Sequence, residues 1–241
     1  MRSTDFFRYQ PAVFILESPS AQDVLDDRDE GAALAAALRL AQVPSMLLRT
    51  PDRATLSEAF GRMAKAPLRG PDGRIVVPHV HISAHGNGEG VALTNGERVG
   101  WADLRQLLLG FARATDRFST GGMALLELCM SSCEGANARK MFDLGPPHPC
   151  AGIVGPRKPV TWSDSLVAFI AYYHQSIIKD VRAVDAVPIM NRAAGIEEFG
   201  LFTPADFAER ISKQGMAHAA SYEQLRLSQT SPAPSPPPSS R

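Results

Sequence analysis

With 241 residues, 25 basic and 25 acidic among them, the chain can bury one full core and lacks the basic surface of a nucleic-acid-binding protein. It has no apolar run approaching the roughly 18 residues that cross a bilayer and does not begin with a secretory signal, so we expect no membrane partner. Three cysteines are too few for a disulfide framework and form no Cys-x-x-Cys zinc pair, which indicates a cytoplasmic protein with reduced thiols.

The predicted elements alternate between strands and helices along the chain. Short apolar runs predict strands, and Ala/Leu-rich stretches with helical periodicity predict helices. The predicted strands cover residues 12–18, 44–50, 74–86, 123–132 and 150–155, and the predicted helices cover residues 30–42, 54–66, 102–116, 134–143 and 163–180. Asn95-Gly96 lies between two short runs and predicts a hairpin. One or two further helices are expected after residue 180.

This alternation indicates an α/β fold, with a mostly parallel sheet that helices cover on both faces. We assign residues 1–227 to a single domain. Residues 228–241 are rich in Ser and Pro and have no large apolar side chain, so they predict a disordered tail. In such sheets, ligands and catalytic groups gather at the carboxyl ends of the strands.

Two cysteines lie in the stretch "LLELCMSSCEG", residues 125–135. Cys129 falls within the predicted strand and Cys133 just past its end, which separates them by roughly 13 Å along the strand. Cys129 is therefore expected to pack as a small hydrophobe, as is Cys150 before the next strand. Cys133 is expected at the carboxyl rim, where a helix that begins near Gly135 offers free N–H groups to an oxyanion.

The strand before it ends in "HISAHG", which places His85 at its exit. If the two strands are neighbours, His85 and Cys133 share one rim. A histidine there takes the thiol proton and later protonates a leaving amine. Gly86 has no side chain, so its backbone N–H can approach a substrate closely.

"HISAHG" followed by "LLELCMSSCEG" resembles the caspase-like cysteine peptidases, and most of all their bacterial CHAT branch. That family pairs a strand ending in His-Gly with a strand ending in small-Cys-x-Gly/Ser, as in His85-Gly86 and residues 132–135. His81 matches a further histidine that the CHAT pattern often carries. "AGIVGPRKPVTWSDSLVAFIAYYHQSI" and "LDDRDEGAALAAALRLAQVP" resemble two other family segments, so the resemblance covers roughly residues 12–180.

The resemblance implies a caspase-like three-layer sandwich and a thiol protease that cleaves protein or peptide substrates through a thioester. By position, His85 is the general base and Cys133 the nucleophile, while the backbone N–H groups of Gly86 and Cys133 hold the oxyanion. This chemistry needs no cofactor. A role in bacterial signalling or defence, and a separate sensor protein that activates the chain, are extrapolations from the family.

Three charged residues are candidates for the substrate pocket. Asp164 either stabilises the start of a helix that Ser163 caps or binds a basic substrate side chain. Arg28 either pairs with the four acids around it in "DDRDE" or resembles the caspase arginine that binds an acidic side chain. Glu17 ends the first predicted strand on the same rim. Because Asp164 and Arg28 predict opposite substrates, specificity stays open.

Two other functions fit the sequence. One is a catalytically inactive caspase-fold module that binds or scaffolds partners, since fold does not fix function. The other is a metal-dependent hydrolase that uses His79, His81 and His85, which share one face of a strand. Compared with metallo-β-lactamase-like clusters, this stretch lacks an acidic ligand and a histidine, so no metal is expected. His81 is then expected to bond within the core or to support His85.

Overall fold

The computed structural model describes residues 9–67, 69, 73–119 and 122–209. Residues up to Pro204 form one unit, and the chain from Ala205 onward forms a second. The architecture below is that of the first unit. The predicted tail, residues 228–241, lies outside the described residues. Among the described residues, no helix combines the length and apolar character that crossing a bilayer requires.

The described residues of the first unit form eight strands, six α-helices and two short helical segments of other types. The strands are β1 (Tyr9–Ser18), β2 (Ser45–Arg49), β3 (Ile75–Asn87), β4 (Gly90–Ala92), β5 (Arg98–Gly100), β6 (Glu127–Ser131), β7 (Gly152–Pro156) and β8 (Phe199–Phe202). The α-helices are α1 (Ala21–Leu25), α2 (Glu30–Leu40), α3 (Arg53–Ala64), α4 (Trp101–Ala114), α5 (Trp162–Tyr173) and α6 (Ala183–Ala194). A 3₁₀ helix spans Gly135–Met141, and a π-helical turn, His174–Ile178, continues α5.

The sheet is mixed but mostly parallel, with the strand order β2–β1–β3–β6–β7–β8. The first five strands of this path run parallel, and β8 pairs with β7 in the antiparallel direction. The short strands β4 and β5 form an antiparallel hairpin that is attached to the end of β3. The predicted α/β fold, its mostly parallel sheet and the hairpin are thereby confirmed.

Helices cover both faces of this sheet. Val13 and Ile15 of β1 point to one face and pack in a core with residues of α2, α5 and α6. Phe14 points to the opposite face, because side chains alternate along a strand. Its ring lies 6.3 Å from that of Phe111 in α4, which lies 6.4 Å from the ring of Phe60 in α3. The sheet is therefore the middle of three layers.

Several element boundaries differ from the sequence prediction. The strand predicted over residues 123–132 is formed only at Glu127–Ser131, because Met123 instead bridges to His148 outside the sheet. The helix predicted over residues 134–143 is a 3₁₀ helix of 7 residues. Neither α1 nor β8 was predicted, since both are short and β8 depends on antiparallel pairing with a distant strand.

Replacing Phe169 with Ala is expected to destabilise the fold by about 3–5 kcal/mol, because the substitution leaves a cavity among packed rings. Phe169 is fully buried, and its ring lies 4.7 Å from that of His81 and 5.5 Å from that of Phe199. The adjacent Ile170 is 39% exposed, so Ile170→Ala is the matched control and should cost far less. Urea unfolding midpoints of the two variants measure the difference, and equal losses would contradict this packing.

Candidate functional site

The pairing of β3 with β6 determines what lies at the rim. The two strands are parallel neighbours, with Ser83 opposite Ser131. His85 comes two residues after Ser83 and is still in β3, while Cys133 comes two residues after Ser131, in the turn that follows β6.

The exits of the two strands pack directly against each other at Gly86. A Cβ at this position would lie 2.9 Å from the carbonyl oxygen of Cys133 and 3.0 Å from the Cβ of Ser132. Real side chains do not tolerate such distances to a backbone atom. The lack of a side chain at Gly86 therefore allows the backbone that follows His85 to contact the backbone of Cys133.

Cys133 is the accessible thiol of the three. It is half-buried, whereas Cys129 and Cys150 are buried completely. Burial raises the pKa of the Cys129 and Cys150 thiols well above the ordinary value, so both stay protonated. The Cys133 thiol donates to the carbonyl of Val160, with 3.6 Å between Sγ and oxygen. The chain then turns at Glu134, which has a left-handed φ of 57°.

His85 lies at the rim with 47% of its side chain exposed. Its Nε2 lies 2.6 Å from Oδ2 of Asp23, and its ring centroid lies 5.3 Å from that of Trp162. Trp162 is the first residue of α5 and comes two residues after Val160, which accepts from the Cys133 thiol. The segment 160–162 therefore contacts both His85 and Cys133.

Asp23 is a site residue that the sequence reasoning missed. Its side chain is 3% exposed, and its carboxylate accepts from the backbone N–H of Ser20 at 3.0 Å as well as contacting His85. Burial on its own raises the pKa of Asp23, but the hydrogen bonds from Ser20 and His85 outweigh it and lower the pKa to about 2. Ser20 and Asp23 form a capping box, a sequence pattern that indicates a short helix. Nothing in that pattern indicates contact with a histidine 62 positions away.

A second buried carboxyl group, Glu30, lies beneath the rim. It accepts from the hydroxyls of Ser83 and Ser131, each at 2.5 Å, and Ser131 also bonds to Ser165 at 2.6 Å. Burial raises the pKa of Glu30 to about 7, although these hydroxyls favour the ionised form. Ser83 and Ser131 each precede a rim residue by two, so Glu30 lies one step below His85 and Cys133. The sequence reasoning did not find this cluster.

The pocket candidate Glu17 is enclosed rather than open to a substrate. It is 1% exposed, and its Oε1 accepts the backbone N–H of Gly31 at 2.6 Å. Its other oxygen, Oε2, lies 3.3 Å from the guanidinium of Arg49. Burial and the neighbouring carboxyl of Asp29 raise the pKa of Glu17 to about 7. The start of α2 therefore covers Glu17, and its assignment to the substrate pocket stays a prediction.

The other two pocket candidates lie on the loop before α2 and on α5. Arg28 forms ion pairs with Asp23 at 3.4 Å and Asp26 at 3.2 Å, as its acidic surroundings indicated. Asp164 is half-buried in the first turn of α5, where its backbone N–H donates to the hydroxyl of Thr161 at 3.1 Å. Thr161, not Ser163, is therefore the N-cap, because the backbone is still extended at Thr161.

A cavity of about 250 Å³ opens beside His85. The end of β3 and the β4–β5 hairpin line it, and Glu89 and Arg98 contribute opposite charges to its wall. The hairpin is anchored through the carbonyl of Gly88, which accepts from the indole N–H of Trp101 at 3.0 Å and from Lys140 at 2.7 Å. A substrate group that reaches His85 from this side would enter this cavity.

The three histidines of the metal alternative do not come together. His81 is fully buried, its Nδ1 lies 3.0 Å from the hydroxyl of Tyr173, and burial lowers its pKa to about 3. Among the described residues, the ligand atoms that do lie within 4.8 Å of one another belong to His79, Glu127 and Cys129. Glu127 already bonds to His79 at 3.0 Å and accepts from Tyr172 at 2.7 Å. This cluster is therefore a hydrogen-bonded network that is satisfied without an ion.

Comparisons with known proteins assign no family to the chain. No protein-family model matches the sequence, and no curated protein is significantly similar to it.

Replacing Gly86 with Ala is expected to destabilise the protein by about 1–3 kcal/mol, because the new methyl group meets a backbone carbonyl that cannot move away cheaply. Gly110, in the middle of α4, is the matched control, because a Cβ there has nothing within 4 Å. Gly110→Ala should stabilise the helix by about 0.5–1 kcal/mol. Urea unfolding measures both effects, and a Gly86→Ala protein as stable as the wild type would rule out the close contact.

Glu30 is expected to make folding stability fall as pH rises. Its folded pKa, about 7, lies above the unfolded value of 4.5, so the folded state binds more protons between these values. Stability is then highest below pH 4.5 and is lost up to about pH 7, by about 3 kcal/mol. Glu30→Gln should reduce the pH dependence of the unfolding free energy between pH 4.5 and about pH 7, and Glu17→Gln should reduce it by a similar amount. Unfolding measured in urea from pH 4 to pH 8 tests this, and an unchanged slope in both variants would count against it.

Proposed function

We propose that the chain is a cysteine endopeptidase that uses His85 as general base and Cys133 as nucleophile. The observation that carries the proposal is the parallel pairing of β3 and β6, which ends both strands at one rim and packs Gly86 against Cys133. The resemblance of these strand ends to the caspase-like peptidases of the CHAT branch supports the same assignment. Exposure agrees with it, because His85 and Cys133 are accessible while the other two thiols are buried.

The reaction follows from these two side chains. His85 removes the proton of the Cys133 thiol, and the thiolate attacks the carbonyl carbon of a peptide bond. The tetrahedral intermediate collapses to a thioester as the C–N bond breaks, and the histidinium gives its proton to the leaving amine. Water, deprotonated by His85, then attacks the thioester. The second product is a carboxylic acid, and the Cys133 thiol is regenerated.

The oxyanion of each tetrahedral intermediate needs preorganised donors. In the proposed arrangement these are the backbone N–H groups of Gly86 and Cys133. The close approach of Gly86 to the carbonyl oxygen of Cys133 supports it, since it brings the two backbone segments together. The left-handed turn at Glu134 redirects the chain directly after the nucleophile, which keeps the Cys133 segment at the surface of the rim.

The substrate in this proposal is an extended peptide or a protein segment. The charge of Arg28 is already paired with two carboxylates, so an acidic substrate side chain would compete with them for it. This favours Asp164 over Arg28 as the specificity-determining charge, and hence a basic residue before the scissile bond. Activation by a separate sensor protein and a role in bacterial signalling or defence belong to the proposal through the family resemblance alone.

Replacing Cys133 with Ala should lower peptide cleavage by at least about 10³-fold, because the nucleophile is lost. The measurement uses fluorogenic peptides with Arg, Lys, Asp or Glu before the scissile bond, and Cys129→Ala is the matched control because that thiol is buried. Undiminished cleavage by Cys133→Ala would sink the proposal.

A peptidyl electrophile that acylates or alkylates thiols separates the enzyme from an inactive scaffold with the same fold. At neutral pH it should modify Cys133 alone in the folded protein, as mass spectrometry of the peptides would show. Failure to label Cys133, together with no cleavage of any peptide, would favour the scaffold function.

A further inference from the structure

Asp23 reaches the proposed base from α1, the short helix that follows β1. Its Oδ2 lies 2.6 Å from Nε2 of His85, a short distance for a hydrogen bond between a carboxylate and a ring nitrogen. An ionised carboxylate is only an acceptor, so the proton of this bond belongs to Nε2. The other ring nitrogen, Nδ1, then carries the free lone pair.

We propose that Asp23 is a positioning residue, the third member of an Asp23–His85–Cys133 triad. It holds His85 with Nε2 protonated, and Nδ1 is therefore the atom that accepts the thiol proton. This inference rests on the proposed function, because it assigns a role within the same site.

The carboxylate of Asp23 is fixed in place by donors on both of its oxygens. Oδ2 accepts from the backbone N–H and the hydroxyl of Ser20, at 3.0 and 2.5 Å, in addition to His85. Oδ1 accepts from the indole N–H of Trp162 at 3.2 Å and from Arg28 at 3.4 Å. Rotation of the carboxylate would break several of these bonds together, so the His85 ring is held by a rigid acceptor.

Trp162 contacts both Asp23 and His85. Its indole N–H donates to Asp23, and its ring stands nearly perpendicular to that of His85, at an interplanar angle of 73°. The carboxylate at the Nε2 edge and the indole beside the ring therefore both restrict the movement of the His85 imidazole. Fixing a catalytic group in this way lowers the entropy that must be lost in the transition state.

The pairing also has an electrostatic consequence for the reaction. When Nδ1 takes the proton from the Cys133 thiol, His85 becomes a cation beside an anionic carboxylate that is 3% exposed. A buried carboxylate at hydrogen-bond distance stabilises this imidazolium. In the next step the Nδ1 proton passes to the leaving amine, while the Nε2 proton stays in the hydrogen bond to Asp23 throughout.

A substrate-binding role for Asp23 fits less well than a positioning role. A pocket acid needs an open lone pair for the incoming cation, and both oxygens of Asp23 are already occupied. Its low exposure also separates it from solvent, unlike that of Asp26, whose side chain is 35% exposed. Asp26 pairs with the same Arg28, so it offers a matched control that removes one negative charge nearby.

The test compares Asp23→Asn with Asp26→Asn, using the fluorogenic peptide that the wild type cleaves best. In Asp23→Asn the new amide group would donate to Nε2 and move the ring proton to Nδ1, so kcat should fall by about 10²- to 10⁴-fold with little change in KM. Asp26→Asn should keep the wild-type kcat. A full kcat in Asp23→Asn would overturn the proposal.

Nitrogen-15 NMR of the His85 ring is the second readout, and it does not depend on peptidase activity. At a pH high enough for the His85 ring to be neutral, the ring should carry its proton on Nε2 in the wild type and in Asp26→Asn. In Asp23→Asn it should carry the proton on Nδ1. A wild-type ring protonated on Nδ1 overturns the proposal even when Asp23→Asn does not fold. Because this readout needs no substrate, a failure of the proposed peptidase activity is distinguishable from a failure of the Asp23–His85 pairing.

Discussion

The candidate site depends on one register, the parallel pairing of β3 with β6 that sets Ser83 opposite Ser131. A slip of one residue would move every side chain of a strand to the other face. Both strands are buried on both faces, so such a slip would place polar side chains against apolar helices. The packing of the core therefore favours this register, and with it the placement of the two strand ends near which His85 and Cys133 lie.

One face of this strand pair carries a polar residue at each step from the interior to the rim. The pairs from inside to outside are His79 with Glu127, His81 with Cys129, Ser83 with Ser131, and then the two rim residues. The inner pairs bond to buried partners, which are Tyr172 and Tyr173 of α5 and Glu30 of α2, although Nε2 of His81 is buried without a hydrogen-bond partner. The histidines that suggested a metal site share a face for this reason, yet each has a different partner. His85, at 47% exposure of its side chain, is far more accessible than His79 at 11%.

Three carboxyl groups reach this face from the end of β1, from α1 and from the start of α2, and each is accommodated differently. Asp23 is surrounded by donors, so it remains ionised and its pKa is low. Glu30 and Glu17 lie deeper with fewer charged donors, and burial raises the pKa of both to about 7. Residues 17–30 therefore supply a negative charge at His85 and two groups that bind protons near neutral pH.

The amino-acid sequence by itself determined the alternation of strands and helices, the hairpin at Asn95-Gly96 and the different depths of Cys129 and Cys133, because these depend on local periodicity and on position within a strand. It did not reveal Asp23 or Glu30 as partners of the rim and of the layer beneath it. Those contacts join residues 62 and 101 positions apart, and no local pattern encodes them. It also offered Glu17 as a pocket candidate, whereas in the structure the start of α2 covers this side chain. Only the tertiary structure decided these points, because the partners and the solvent exposure of a carboxylate are set by how distant segments pack around it.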